Sequence, residues 1–149
     1  QHILDLGFDA INSRGVFRAE LAVKGAFYKY LVEILRRYFG ILILKKFRYK
    51  DIIHHLFVDE DSWESVYPTL LPNWDRSARS GKKAVIYHGS TPDLFGQHIN
   101  DAMNKISNKS DEHKILFLQS WNEWAEGNYV EPDLKYGHGY LDEIRNALK

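Results

Sequence analysis

The sequence predicts an α/β fold built from β/α units, and two observations lead to this prediction. Segments with the character of a strand, a loop and a helix follow one another twice in the second half of the chain. The strand candidates contain continuous apolar runs at 84–87 and 115–118, which are typical of parallel strands buried on both faces. Parallel strands joined by helices are therefore the expected framework.

The length of the chain limits how much of such a framework it can hold. A whole (β/α)8 barrel needs about 250 residues, and this chain has 149. We expect the C-terminal portion of a (β/α)8 TIM barrel, with about three to four β/α units. A small, self-contained open sheet is the alternative.

The first half of the chain is expected to contain one strand and one long helix. Residues 3–12 form a short apolar stretch that predicts a strand. Apolar residues at helical spacing predict a helix over 19–39, with Gly40 as its natural stop. The run 41–44 indicates a short buried strand or continued packing of that helix, and 51–57 a brief helix.

The second half begins with a loop and continues with two β/α units. Prolines, polar residues and a glycine over 64–81 predict the loop. A strand over 84–88 follows, and Thr91 and Pro92 are suited to the N-cap and first position of a helix. That helix has apolar residues on one face: Leu94, Phe95, Ile99, Ala102, Met103 and Ile106. A strand over 114–120 and a final helix complete the chain.

Composition indicates one globular domain over 1–149 with no internal boundary. Lys and Arg together number 20, as do Asp and Glu, so no overall charge points to nucleic acid or an anionic membrane as a partner. The absence of cysteine excludes disulfides and thiolate metal sites. No stretch has the length of a transmembrane helix. The start at Gln1, which looks like the middle of a domain, leads us to expect a fragment of a larger protein. We expect a cytoplasmic location, and any leader would lie upstream of Gln1.

The most informative segment is Trp121–Val130, which follows the last predicted strand. Glu123 and Glu126 are three positions apart and are framed by Trp121 and Trp124. On a helical turn their β-carbons lie about 5–6 Å apart. Two close carboxyl groups in a partly dry site do not both ionise readily, so one is suited to donate a proton. Carboxylate pairs beside aromatic faces are typical of sugar-cleaving sites, and a solvated acidic turn is the alternative.

A second cluster, residues 67–79, precedes the strand predicted over 84–88. Trp74 could line a sugar subsite or fill the core, and Arg79 could pair with Asp75 or orient one of the two glutamates. His88, at a strand end, could contact substrate or be a buried structural histidine. In parallel folds, chemistry lies on the loops after the strands' C-terminal ends, which is where His88 and the Trp121–Val130 segment fall.

Other polar clusters give weaker signals. The histidines show no metal-ligand spacing, so we expect no metal and no cofactor. Asp59-Glu60-Asp61 formally matches the Asp-x-Asp signature with which many nucleotide-sugar transferases hold a divalent ion, but three residues are weak evidence and an acidic loop is the favoured interpretation. The basic stretch from Lys24 to Lys50 is interpreted as a solvated helix face, with contact to an anionic surface as the alternative.

These motifs together resemble the end of the WbsX-type proteins, bacterial proteins of polysaccharide gene clusters that are often described as glycosyltransferases. The resemblance is strong from about residue 67 to residue 141 and before residue 64 is limited to 7–10. The segments that carry it are Trp74-Asp75 with Arg79, Ser90–Phe95, Trp121–Gly127, Glu131–Asp133, Tyr136-Gly137 and Tyr140-Leu141. The catalytic region of these proteins is similar to the family 99 glycoside hydrolases, which are endo-α-mannosidases and endo-α-mannanases.

The resemblance implies a (β/α)8 barrel whose N-terminal part is the expected partner of this chain. It also implies that Glu123 and Glu126 are catalytic. The first would deprotonate the sugar's own 2-hydroxyl, giving a 1,2-anhydro intermediate and net retention. The second would act as general acid to the leaving oxygen and then as general base to water. The sugar-contacting residues would be Trp121, Asn122, Trp124, Trp74, Asp75, Arg79 and His88.

Two positions depart from the family pattern. The hydrolases usually have His where Ala125 stands, and WbsX-type proteins commonly have Asn-Thr where this chain has Arg76-Ser77. The leading hypothesis is an endo-acting, retaining glycosidase-like domain for mannose-type or related bacterial polysaccharide, in lipopolysaccharide or capsule biosynthesis. A glycosyltransferase using an activated donor and a non-catalytic carbohydrate-binding fragment are the alternatives.

Overall fold

A computed structural model describes residues 3–149 of the chain, and it is a mixed α/β structure. Gln1, on which the expectation of a fragment of a larger protein rests, lies outside the described residues. The helices are α1 (Val16–Phe39), α2 (Tyr49–Ile52), α3 (Ser77–Ser80), α4 (Pro92–Ile106) and α5 (Gly139–Ala147). The strands are β1 (Ile11–Ser13), β2 (Lys45–Arg48), β3 (Val66–Leu70), β4 (Trp74–Asp75), β5 (Val85–His88), β6 (Phe117–Leu118), β7 (Asn122–Glu123) and β8 (Asn128–Tyr129). The predicted α/β class is confirmed.

Parallel pairing joins most of the strands. One sheet has the order β1-β3-β6, with both pairs parallel, and a second has the order β2-β5-β4. In the second sheet β2 and β5 are parallel and β4 is antiparallel to β5. Strands β7 and β8 form a separate antiparallel hairpin. The parallel pairing expected from the apolar strands is therefore present in both sheets.

Two clusters of buried apolar side chains stabilise this arrangement, since each fully buried large side chain contributes about 1.5–3 kcal/mol. The first lies between α1, α2 and the β2-β5-β4 sheet: Ala19, Phe47, Tyr49, Ile52, Ile53, Leu56, Leu71, Trp74 and Tyr87. The second lies between β3, α4 and α5: Leu70, Phe95, Ile99, Ala102, Val130 and Tyr140. Val130 directly follows β8, so the hairpin is anchored in the second cluster.

Three predicted helices are confirmed. Helix α1 is interrupted at Gly25, which has non-helical φ and ψ of 76° and 164°, and ends at Gly40 in the left-handed conformation. Helix α4 begins as predicted, with the Thr91 hydroxyl accepting from Leu94 N at 3.3 Å and Pro92 in its first turn. Helix α5 packs on α4. The brief helix expected at 51–57 is α2 followed by a 3-10 turn over Ile53–His55.

Two expectations for the first half are wrong. Residues 3–12 are not one strand, because Leu4–Leu6 forms a 3-10 turn, Gly7 adopts a left-handed φ of 89°, and β1 begins only at Ile11. The run 41–44 forms no strand either. Its first two residues are exposed, and pairing with β5 begins at Lys45.

The expected loop over 64–81 is also wrong, because it contains β3, β4 and α3. Strand β3 is the central strand of its sheet, although Pro68 lies within it. The strand expected over 114–120 is present only as β6. No helix among residues 3–149 is both long and apolar enough to cross a membrane.

Candidate functional site

The two glutamates lie on a tight hairpin. Asn122 pairs with Tyr129 and Glu123 with Asn128, and the strands are joined by a 3-10 turn over Trp124–Glu126. The turn closes at Gly127, whose φ of 52° is left-handed and accessible to glycine at little cost. The helical turn expected from the sequence is thus a single 3-10 turn. Glu123 precedes this turn and Glu126 is its last residue.

Glu126 is the more enclosed of the two glutamates, with 9% of its surface exposed. Its Oε1 accepts a hydrogen bond from Arg79 Nη1 at 2.7 Å and lies 3.3 Å from Arg76 Nε, in an ion pair without hydrogen-bond geometry. The hydrogen bond with Glu126, followed by the charges of Glu126 and Glu123, raises the pKa of Arg79. Of the two partners considered for Arg79, the structure shows the glutamate. The two arginines thus hold the Glu126 carboxylate at the turn of the hairpin.

Asp75 caps a turn instead of pairing with Arg79, and it also lines the cleft described below, so its contact with a sugar stays a prediction. Its Oδ1 accepts from Ser77 N at 2.8 Å, which fixes the turn leading into α3. Its backbone also lies directly against the hairpin. A β-carbon added to Gly127 would be 2.9 Å from Asp75 Cβ and 3.0 Å from Asp75 N. Only a glycine allows the two segments to approach this closely.

A third connection joins the hairpin to the chain just before β4. Asn73 Nδ2 donates to Tyr129 O at 3.2 Å, and Tyr129 N donates to Asn73 Oδ1 at 2.9 Å. The side-chain amide therefore satisfies both backbone groups of Tyr129. Together with the Arg79–Glu126 hydrogen bond and the Gly127–Asp75 contact, it makes 73–79 and 122–129 one structural unit.

Glu131 orients the exposed end of the hairpin. Its Oε2 accepts from Trp124 Nε1 at 2.8 Å, and its Oε1 accepts from Asn122 Nδ2 at 3.3 Å. The Trp124 indole also stacks on Tyr129, with ring centroids 3.7 Å apart and planes 18° apart. Trp124 is 49% exposed and Trp121 is 54% exposed. Both predicted sugar-binding tryptophans of the motif thus present aromatic surface to solvent.

An open cleft of about 1000 Å³ lies beside the hairpin. Strand β5, the segment 132–136 and α5 contribute to its wall, and the Trp121–Val130 segment contributes Trp124, Gly127 and Tyr129. Neither glutamate is among the wall residues. The polar and aromatic residues of the wall include Trp74, His88, Ser90, Tyr129, Asp133, Tyr136 and Tyr140. A cleft with aromatic walls and a few fixed polar groups is suited to a sugar chain.

Hydrogen bonds fix the polar groups of this wall. The Tyr129 hydroxyl donates to Asp133 Oδ2 at 3.0 Å, and burial together with this bond raises the pKa of Tyr129 to about 12. Burial acts to raise the pKa of Asp133, but hydrogen bonds from Tyr136 N, Tyr129 and Lys135 N outweigh it and lower that pKa overall. Ser90 Oγ lies 2.9 Å from the Tyr140 hydroxyl. The wall is therefore pre-arranged before any ligand enters.

Two predicted substrate contacts occupy different environments. Trp74 is 7% exposed and packs in the first core cluster near Tyr87, so its burial favours the core-filling alternative, although it contributes to the cleft wall. His88 ends β5, is exposed and lines the cleft, which excludes the alternative of a buried structural histidine. Whether either residue contacts a sugar stays a prediction.

The acidic side chains Asp59 and Asp61 form contacts with neighbouring protein groups. Asp61 is fully buried and its Oδ2 accepts from Val58 N at 2.8 Å, whereas Asp59 pairs with Lys105 at 3.1 Å. Across residues 3–149, no three His, Asp or Glu side chains are grouped so that they could hold a metal ion.

Sequence reasoning did not assign roles to several residues that shape this site. Glu131 was part of the family resemblance without a function, and Arg76 was noted only as a departure from it. Asn73 and Tyr129 carried no signal beyond being polar residues near the motif. Asparagine favours turns and its side chain can pair with backbone groups, and this was the signal from which a role for Asn73 could have been predicted.

Comparisons with known proteins agree with the resemblance. A model of the family described as Glycosyltransferase WbsX matches residues 4–144. Two proteins named "Uncharacterized protein WxcX", from Xanthomonas campestris pv. campestris strains B100 and ATCC 33913, are each 34% identical over 85 residues. The match covers 56% of this chain and 12% of the length of those relatives.

No solved structure matches the chain. The family match, in contrast, extends over almost the whole chain and includes the Trp124–Glu126 turn, the arginine-bearing segment 74–79 and the cleft. The resemblance to WbsX-type proteins is confirmed, and the chain belongs to the Glycosyltransferase WbsX family.

Proposed function

We propose that this chain forms one wall of a polysaccharide-processing site in which Glu123 and Glu126 carry out the chemistry. The observation that carries the proposal is the position of Glu126, an almost buried carboxylate held by Arg79 on a turn whose Trp124 borders an aromatic cleft. An acidic turn serving only as a solvated surface has no need of two arginines. Membership of the WbsX family supports a polysaccharide-related, glycosyl-active protein.

In the proposed reaction the two carboxyl groups have different tasks. Glu123 takes the proton of the 2-hydroxyl, whose oxygen attacks the anomeric carbon as the glycosidic bond breaks. Glu126 gives its proton to the leaving oxygen and then removes a proton from the water that opens the anhydro ring. As the ring opens, Glu123 returns its proton to the 2-oxygen, so both groups regain their starting states. General acid–base catalysis of this kind contributes about 10²–10⁴-fold to the rate. The arginines must loosen their hold on Glu126 when substrate enters, because an ion-paired carboxylate has no proton to give.

The cleft supports a chain of sugars as substrate. Its volume of about 1000 Å³ exceeds what one monosaccharide fills, and it is open at the surface, as an endo-acting enzyme requires. We propose mannose-type or related bacterial polysaccharide, of lipopolysaccharide or capsule, as the substrate class. Neither glutamate lines the cleft formed by the described residues. We therefore also propose that the rest of a (β/α)8 barrel supplies the remaining walls of the site.

A second candidate is transfer of a glycosyl group to an acceptor sugar. The family description favours it, because the family is named for glycosyltransferases. The same glutamates would serve if an acceptor hydroxyl replaced the water. A nucleotide-sugar mechanism with a divalent ion has less support, because Asp59 and Asp61 are engaged in local contacts.

The test uses the full-length protein and α-mannan oligosaccharides. Glu126→Gln and Glu123→Gln should each lower the rate by about 100-fold or more, whereas the exposed control Glu112→Gln should leave it unchanged. Shortened products identify a hydrolase and lengthened products a transferase. Near-wild-type turnover in Glu126→Gln would overturn the proposal, and binding without turnover in the unaltered protein would favour the carbohydrate-binding alternative.

A further inference from the structure

Positive charge is concentrated in one part of this chain. Residues 24–50 contain eight Lys and Arg and a single acidic residue, Glu33. The excess of seven positive charges is hidden in the overall balance of 20 basic and 20 acidic residues. Arg37 and Lys46 are exposed, and neither forms an ion pair with any residue in the described range 3–149. Arg48 pairs with Asp51, just beyond this range, and Arg36 with Glu33, but this part of the surface remains cationic overall.

The same segment carries an apolar stripe that faces solvent. Phe27, Leu31, Ile34 and Tyr38 recur at helical spacing along the second part of α1. Phe27 is 78% exposed, Leu31 41% and Tyr38 73%, whereas Val32, on another face of the helix, is buried. The helix is thus amphipathic, with an apolar stripe that the rest of residues 3–149 does not cover.

The apolar surface continues beyond the helix. Phe39, Ile41 and Leu42 are all exposed around the Gly40 cap. Leu42 also lines a hollow together with cations from three elements. The cations of this hollow are Arg36, Lys45, Lys82 and Lys83. Apolar and basic side chains therefore meet at Leu42. We call residues 24–50 with Lys82 and Lys83 the basic–aromatic surface.

We propose that the basic–aromatic surface docks on an anionic lipid bilayer, with the helix lying in the interface plane. Amphipathic helices that do this have aromatic and aliphatic residues on one face, Lys and Arg on the other, and low net hydrophobicity. Anionic headgroups attract each cation near the surface, and tyrosine and phenylalanine rings insert at the headgroup level. The charge excess argues for this occupant over an uncharged apolar partner, which would leave the cations without counterions.

The membrane contact is separate from the glycosyl chemistry proposed for the hairpin. The basic–aromatic surface shares no residue with the cleft wall or with the Glu126 cluster. A protein held at a bilayer in this way would act on sugar chains presented at the membrane surface. Failure of the proposed reaction therefore leaves the docking proposal intact, and the converse also holds.

The test is co-sedimentation of the full-length protein with vesicles. We expect binding to vesicles of phosphatidylglycerol and phosphatidylcholine in equal parts, little binding to phosphatidylcholine alone, and weakening as salt is raised. The double variant Arg37→Gln/Lys46→Gln should lower affinity by about fivefold for each lost cation. Phe27→Gln/Tyr38→Gln should also weaken binding, because it removes two rings of the apolar stripe. Both side chains are exposed, so this variant should fold like the unaltered protein.

The matched control is Leu148→Gln/Lys149→Gln, which removes one exposed apolar side chain and one cation from another part of the surface. It should bind vesicles like the unaltered protein, and circular dichroism should show every variant folded. Absence of binding to the anionic vesicles would overturn the proposal. An equal loss of vesicle binding in the control variant would also overturn it. So would displacement of the protein from vesicles by a single-stranded oligonucleotide, which would indicate a nucleic-acid surface instead.

Discussion

Glu131 links two predicted sugar-contacting residues, because its carboxylate accepts from both Trp124 and Asn122. We expect Glu131→Ala to lower kcat/KM by about tenfold, within the roughly 100-fold that a 1 Å misplacement can cost. Glu131→Gln retains one acceptor oxygen and should recover part of the loss. The measurement is steady-state kinetics of the full-length protein beside its thermal unfolding. Equal activity of the alanine variant and the unaltered protein would show that this orientation is irrelevant.

Gly127 combines a left-handed φ with a close contact, and Gly137 provides its control. Both have φ near 50°, but a β-carbon at Gly137 would meet nothing within 4 Å, whereas one at Gly127 would crowd Asp75. We expect Gly137→Ala to cost about 1 kcal/mol of unfolding free energy, from backbone strain alone. Gly127→Ala should cost about 2–3 kcal/mol. Urea unfolding measures both, and equal costs would mean that the contact with Asp75 relaxes freely.

At the level of elements, helix α4 shows what local sequence specifies well. Thr91, Pro92 and an apolar face of period 3.6 are short-range signals, and all three have their predicted roles. The strand before it, β5, was also predicted, because a compact apolar run bounded by glycine needs no long-range information. The lengths of both elements follow from the residues themselves.

The cap of α4 can be tested directly. Thr91→Ala removes the acceptor for Leu94 N and should lower the free energy of unfolding by about 1 kcal/mol. Thr91→Ser retains a hydroxyl and should restore most of it. Chemical denaturation followed by circular dichroism gives both values. An alanine variant as stable as the unaltered protein would show that water replaces the hydroxyl without loss.

Strand β3 shows where local signals fail. Prolines at 68 and 72 predict a loop, because proline cannot donate to a sheet ladder. Nevertheless Pro68 is buried in the central strand, paired beside Ser13 of β1. The partners of β3 lie more than 45 residues away along the chain, at β1 and β6. Such long-range pairing leaves no trace in a short window of sequence.

Some features of the candidate site could also be predicted from local sequence, and others could not. The glutamate pair and its tryptophans were predicted because they lie close together in the sequence and are typical of sugar sites. Arg79 was considered as a partner of a glutamate on its charge alone, although it lies 47 residues from Glu126. The burial of Trp74 and the pairing of Asn73 with Tyr129 depend on segments about 50 residues apart meeting in space. No spacing rule predicts those contacts.

For the whole molecule, His98 links stability to pH. It is fully buried, its Nε2 accepts from Leu71 N at 3.2 Å, and it stacks on Phe57. Burial, with a smaller contribution from the charge of His54, lowers the pKa of His98 to about 3. In the unfolded chain a histidine titrates near pH 6.5. Between these values the unfolded state holds one more proton, so acidification destabilises the fold.

We therefore expect the free energy of unfolding to fall by up to about 1.4 kcal/mol for each pH unit below about 6.5 through this group. His98→Gln should flatten that dependence, whereas the exposed control His55→Gln should not. Urea unfolding at pH 7, 6 and 5 supplies the comparison. Parallel pH profiles for His98→Gln and the unaltered protein would show that other groups cause the acid sensitivity.

The close approach of Gly127 to Asp75 also has a consequence for exchanging parts between family members. The hairpin fits this protein only because its glycine lies against the backbone of β4, and because Arg79 and Asn73 come from the same neighbouring segment. A chimaera that receives the hairpin alone would meet a foreign loop, such as one with Asn-Thr in place of Arg76-Ser77. Residues 73–79 and 122–129 therefore form the smallest interchangeable cassette, and specificity should be transplanted with both halves together.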